Sequence, residues 1–125
     1  MARIHPEDHP LVYVSDQSVY AIDREKGTLK WKYDADKRIV RMLLAHDCVY
    51  LLDVECVVHC VKAKAGELLG KVSTGSTTAV GASMIQESED ARIYVATTDG
   101  VYAITPRGKK VWSFESPSPD RKSVV

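Results

Sequence analysis

At 125 residues, 45% of them apolar, the chain has room for one small domain with a packed interior. Seventeen Lys and Arg offset seventeen Asp and Glu, so no broad field favours nucleic acid, an anionic membrane surface or an acidic substrate. No apolar run approaches the ~20 residues that a helix needs to span a bilayer, and no membrane partner is expected.

In chain order, residues 1–10 read as an extended arm, because Pro6 and Pro10 stand among polar residues. Short strands follow. Val12-Tyr13-Val14, then Val19 to Asp23, then Leu29 to Tyr33 are rich in β-branched and aromatic residues, with a turn ending at Gly27 before the last of them. The next group is Ile39 to Ala45, Val49 to Leu52, Val57 to Val61 and, after Gly66, Leu68 to Val72. The third is Thr78 to Ile85, Ile93 to Ala96, Val101 to Thr105 and, after Gly108, Lys110 to Phe114. Thr98-Asp99-Gly100 reads as a two-residue hairpin turn in which glycine supplies a positive φ. The acidic run Gln86 to Asp90 reads as a solvated loop, and residues 116–125, with Pro117 and Pro119 among serines, as a flexible tail. Nothing shows helical apolar spacing with capping signals, so no helix is expected.

The chain is written nearly three times. Residues 12–33 and 93–114 align with one insertion and one deletion, both placed in turns, and Val49 to Val72 is a degenerate copy. In this alignment Tyr50 stands with Tyr13 and Tyr94, and Gly66 with Gly27 and Gly108. Four antiparallel strands recurring about every 40 residues is the pattern of a β-propeller blade. The expected fold is therefore all-β, with about three blades at 11–38, 39–75 and 76–115, forming an incomplete ring as a single chain. A β-sandwich is the alternative, but it has no reason to repeat at this period. The opening strand of the first blade is missing from the pattern, since Ala2-Arg3-Ile4 is short and Pro6 follows it.

The segment Ala21-Ile22-Asp23-Arg24-Glu25-Lys26-Gly27-Thr28-Leu29-Lys30-Trp31 resembles the tryptophan docking motif of the pyrroloquinoline-quinone (PQQ) enzyme repeat at Ala21, Asp23, Gly27 and Trp31, with Thr28 replacing the usual lysine. The third copy matches at Ala103, Gly108, Lys109 and Trp112, has Thr105 for the aspartate, and has a turn one residue shorter. The middle copy keeps Gly66, with His59 read at the alanine position and Gly70 at the tryptophan position. The resemblance covers about residues 11 to 114. It implies a PQQ-like propeller in which Trp31 and Trp112 pack between neighbouring blades as structural staples; a buried indole also needs an acceptor for its N–H.

Quinone-binding members of the family hold the cofactor over a tryptophan and under a disulfide between adjacent cysteines, beside calcium. This chain has no Cys-Cys pair and no Asn, so neither cofactor nor catalytic residue is expected. His46, Cys48, Cys56, His59 and Cys60 have metal-ligand chemistry, but a strand over 56–61 points His59 and Cys60 to opposite faces, leaving His46 and Cys48, read as sharing a face across Asp47, as the best pair and no metal site assigned. The three cysteines read as reduced, buried thiols in a cytoplasmic protein; a periplasmic or extracellular chain trimmed of its signal peptide would read the same. The expected function is a non-catalytic protein-binding or scaffold module, whose open blades are covered by a protein partner or by self-association into a homo-oligomer, unless the chain is a fragment of a longer one. The alternatives are a fragment of a PQQ-dependent quinoprotein dehydrogenase and a sugar-binding, lectin-like propeller.

Overall fold

The computed structural model describes residues 10–75, 82–87 and 92–115. Sequence readings for the arm before Pro10, for residues 78–81, for the acidic loop after Glu87 and for the tail lie outside the described residues. Within them there are eleven strands and no helix, in three antiparallel sheets. The first sheet holds β1 (Leu11–Ser15), β2 (Ser18–Ile22) and β3 (Leu29–Asp34). The second holds β4 (Ile39–Ala45), β5 (Cys48–Asp53), β6 (Val57–Lys62) and β7 (Leu68–Ser73). In the third are β8 (Ser83–Glu87), β9 (Arg92–Thr97), β10 (Gly100–Ile104) and β11 (Lys110–Glu115). Each is a meander, with its strands hydrogen-bonded in sequence order. The first sheet has no counterpart of β4 and β8 among the described residues.

Turn chemistry divides each sheet at the same point. The turn before the last strand closes with a pair of backbone bonds in all three copies. Asp23 N donates to Thr28 O and Gly27 N to Asp23 O, both at 2.8 Å; Lys62 pairs in the same way with Glu67 and Gly66, and Thr105 with Lys109 and Gly108. Gly27, Gly66 and Gly108 have φ of +70, +75 and +84°, in the left-handed region that costs glycine little. Asp23 adds two bonds in the first copy, its Oδ1 accepting from the N–H groups of Glu25 and Lys26 at 2.9 and 2.8 Å. The Lys26 N–H, more than any other neighbour, holds the Asp23 carboxyl below its ordinary pKa.

The hairpin turn between β4 and β5 corrects one reading. His46 and Asp47, at φ 53 and 63°, form the two-residue turn between β4 and β5, so His46 and Cys48 do not share a strand face. Gly100 follows the Thr98-Asp99 turn as the first residue of β10 and has the expected positive φ, +157°, and close approach requires glycine there as well. A Cβ there would collide with the carbonyl oxygen of Phe114 on β11.

The ladders also corrected the alignment of the copies. Ala21 pairs with Trp31, Cys60 with Gly70 and Ala103 with Trp112, so Cys60, not His59, holds the alanine position. Across the neighbouring strand Val12, Tyr50 and Tyr94 oppose Ala21, Cys60 and Ala103. Tyr13 is therefore equivalent to Leu51 and Val95. Since strand side chains alternate, this one-residue difference puts Tyr13 on the opposite face from Tyr50 and Tyr94.

The sheets stack face to face around two cores. Val19 of the first sheet, with Val12, Val14, Trp31 and Tyr33 at its margin, packs on Val49, Leu51 and Val61 of the second. The other face of the second sheet, including Tyr50, Leu52, Val58 and Cys60, packs on Ile93, Val95, Tyr102 and Ile104 of the third. A middle sheet buried on both faces explains why β5 is buried along its whole length.

Candidate functional site

No His, Cys, Asp or Glu cluster capable of holding a metal is present among the described residues. The features that could act on a partner are the junctions between blades and the faces left open at the two ends. At the first junction, Trp31 leaves β3 and lies flat on the turn of the second blade. Its Nε1–H donates to the Ala63 carbonyl at 2.8 Å. A Cβ at Gly66 would stand 2.6 Å from Trp31 Cδ2 and 2.7 Å from Cγ, so only glycine leaves room for the ring. The indole thus finds an apolar seat and an acceptor together.

Beside it runs a chain of polar groups that sequence reasoning missed, buried at His59 and Asp53 and half-buried at Tyr33. His59 Nε2 lies 2.8 Å from Asp53 Oδ2, and His59 Nδ1 lies 2.7 Å from the Tyr33 hydroxyl. Where Nε2–H donates to the carboxylate, the neutral ring's Nδ1 accepts from Tyr33. Asp53 Oδ1 accepts from the N–H groups of Glu55 at 2.8 Å and Val57 at 3.1 Å, fixing the turn between β5 and β6. Burial first, then the charges of Asp36, Asp53 and Asp34, raises the Tyr33 pKa, in keeping with a hydroxyl that retains its proton. The chain has the composition of a catalytic relay, but its Asp and His are sealed inside and it ties β3 of one blade to the next. Asp53→Ala strands several buried donors, and we expect a loss of about 3 kcal/mol, against about 1 kcal/mol for Tyr33→Phe. Urea midpoints at unchanged m-value check both.

The second junction is built differently. Gly70 takes the position that Trp31 and Trp112 hold in the other copies, and Gly108 of the third blade comes directly against it. A Cβ on Gly70 would collide with the Arg107 carbonyl oxygen, and one on Gly108 would stand 2.8 Å from Gly70 C. Backbone meets backbone where the first junction uses an indole. Toward the sheets' first strands, the Arg41 Nε–H donates to the Ala82 carbonyl at 2.7 Å.

The sequence reading placed both indoles between blades; Trp31 lies there, and no following blade is present among the described residues to receive Trp112. This side chain is 42% exposed, resting against Tyr94 with ring centroids 5.9 Å apart, on the face of the third sheet turned away from the second. Ile85 and Phe114, each 59% exposed, share that face. The first sheet is open on its other side, where Leu11 is 48% and Tyr13 52% exposed. There Tyr13 stacks on Tyr20 at 5.1 Å, and the Lys32 Nζ lies 5.5 Å above the Tyr20 ring.

The remaining motif residues lie in the blade interiors and turns. Ala21 and Ala103 are fully buried opposite their tryptophans, Asp23 caps its turn, and none of the described residues lies within 4 Å of where a Cβ of Gly27 would be. His46 and Cys48, with Asp47, Lys62, Leu69 and Arg107, line a cleft of about 270 Å³ between the second and third blades. Both His46 ring nitrogens are buried there with no hydrogen-bond partner among the described residues.

Cys48, Cys56 and Cys60 are free and buried. Burial raises the Cys48 thiol pKa and, reinforced by Cys48, pushes Cys60 up to about 12. Thiols held protonated react slowly with disulfide reagents. We expect no labelling of the native protein at pH 8 and three labelled thiols in urea, counted by mass spectrometry.

No protein-family model and no curated protein sequence matches the chain. Solved structures do. BamB from Moraxella catarrhalis aligns with a TM-score of 0.72 at 16% identity, over 91% of this chain and 37% of its own. A europium-containing methanol dehydrogenase aligns at 0.64 and 17% identity, over 87% of this chain and 23% of its own. The quinohemoprotein alcohol dehydrogenase from Comamonas testosteroni aligns at 0.59 and 15%, over 87% and 20%. At these identities the likeness is one of fold, and the chain spans well under half the length of each. These neighbours are propellers of the PQQ and BamB type, and the chain shares their fold as an incomplete strip of β-propeller, all-β and with three antiparallel, blade-like sheets.

Proposed function

We propose that this chain is a non-catalytic propeller module that works by holding a protein surface against its open blade faces. The two open faces carry this reading. They present Ile85, Trp112 and Phe114 at one end and Leu11 and Tyr13 at the other, on sheet faces of the kind that other sheets cover inside the strip. Contiguous apolar side chains of this size on a flat sheet mark an interaction surface.

The likeness to two dehydrogenases favours a second reading, a fragment of a quinoprotein. The residues present do not fit the quinone. One face of Trp31 is covered by Gly66 and its N–H is engaged by Ala63, and the free cysteines include no adjacent pair. No chemical step is derived through that cofactor. Equilibrium dialysis of the chain with the quinone and calcium separates the readings: the module retains no quinone, and stoichiometric retention would replace it with the quinoprotein.

A further inference from the structure

We propose that two copies of this chain join head to tail, the Trp112 face of one seating on the Gly27 face of the other, so that two strips of three sheets close a six-blade ring. The inference deepens the module reading by naming the partner, and the first junction inside the chain is its template. There, the face of the first sheet that carries Val12, Ala21, Trp31 and Tyr33 meets Leu51, His59 and Gly66 of the second. The ladders place Tyr94, Ala103, Trp112 and Phe114 at the same positions on the open face of the third sheet. They place Tyr13, Tyr20 and Gly27 at the positions of Leu51, His59 and Gly66 on the open face of the first. The chain therefore carries one unused donor face and one unused acceptor face of a contact it already makes internally.

The turn glycines show why these two faces are matched. Gly66 is filled by Trp31, and Gly108 by the backbone of Gly70; of the three, Gly27 alone has no atom of the described residues within 4 Å of its Cβ position. Trp112 likewise has the shape and N–H of Trp31 and stands exposed. Joining them continues the interfaces between blades around the same axis, and because each copy offers one face of each kind, two copies satisfy both. Repeat units that stabilise only their neighbours gain most from such closure.

Sedimentation velocity of the full chain at tens of micromolar tests this, with circular dichroism to verify the fold of each variant. The wild-type chain is expected to run as a dimer. Trp112→Ala removes the donor, and Gly27→Asn tolerates the left-handed backbone while filling the space an indole needs; each should weaken the dimer at least tenfold. An equimolar mixture of the two variants should dimerise more tightly than either alone, because the Trp112 of one can still seat on the Gly27 of the other. A monomeric wild-type chain, an open series of larger assemblies, or a dimer indifferent to both substitutions would overturn the proposal. A monomer that retains no quinone overturns the self-docking alone; retention of the quinone overturns the module reading whatever the assembly.

Discussion

Gly70→Trp is expected to break the chain between its second and third blades, although it restores the tryptophan that the other two copies carry at that position. The reason is geometric. A single Cβ at Gly70 would already collide with the Arg107 carbonyl oxygen, and Gly108 lies directly beyond. The turn holding Arg107 is itself closed by Thr105 N to Lys109 O at 2.8 Å and Gly108 N to Thr105 O at 3.0 Å, so it cannot withdraw without losing those bonds. Gly70→Ala should cost about 3 kcal/mol by overpacking. An indole at the same place should exceed about 5 kcal/mol, at least about a third of the roughly 5–15 kcal/mol margin of a domain. Urea denaturation gives the first value. For Gly70→Trp, amide exchange should show protection lost in β8 to β11 while β1 to β3 keep theirs. A Gly70→Trp chain as stable as the wild type would mean that the second and third blades do not meet backbone to backbone.

Trp31→Ala should cost about 3–5 kcal/mol, because it leaves a cavity over Gly66 and deprives the Ala63 carbonyl of its donor. Trp31→Phe keeps much of the contact and forfeits the hydrogen bond, so a smaller loss of about 1–2 kcal/mol is expected. Trp112→Ala, at the matching position of the third blade, should change the stability of the dilute chain by about 0.5 kcal/mol or less, because its indole reaches no other blade. The contrast matters more than either value. Two tryptophans in the same motif differ in effect because one has a neighbouring turn to sit on and the other does not.

The strands were legible because β-branched and aromatic residues mark them directly, and because the copies repeat their turn glycines. Faces were harder. The extra residue separating Tyr94 from Tyr102, compared with Tyr13 and Tyr20, was assigned to a turn, yet both hairpin turns have two residues, Asp16-Gln17 and Thr98-Asp99. The residue lies in the strand, and a slip of one reverses every side chain before it. Counting back from the glycine would have placed the middle copy correctly, since Ala21 precedes Gly27 by the same number of positions as Cys60 precedes Gly66. The Tyr33, His59 and Asp53 chain left no such signal. It joins residues 26 and 6 apart in sequence, and one sequence does not reveal which side chains meet across two blades. Trp112 was recognisable as a docking residue from its motif, but docking is a property of two blades and the motif describes one.

The stacking of one sheet on the next through Trp31 is most directly tested by proton NMR of Gly66. The Gly66 Hα standing where a side chain would begin sits over the indole face, so it should resonate far upfield, show Overhauser contacts to the Trp31 ring, and return to an ordinary position in Trp31→Ala. A Gly66 Hα at its ordinary shift in the wild-type chain, with no contact to that ring, would contradict the account.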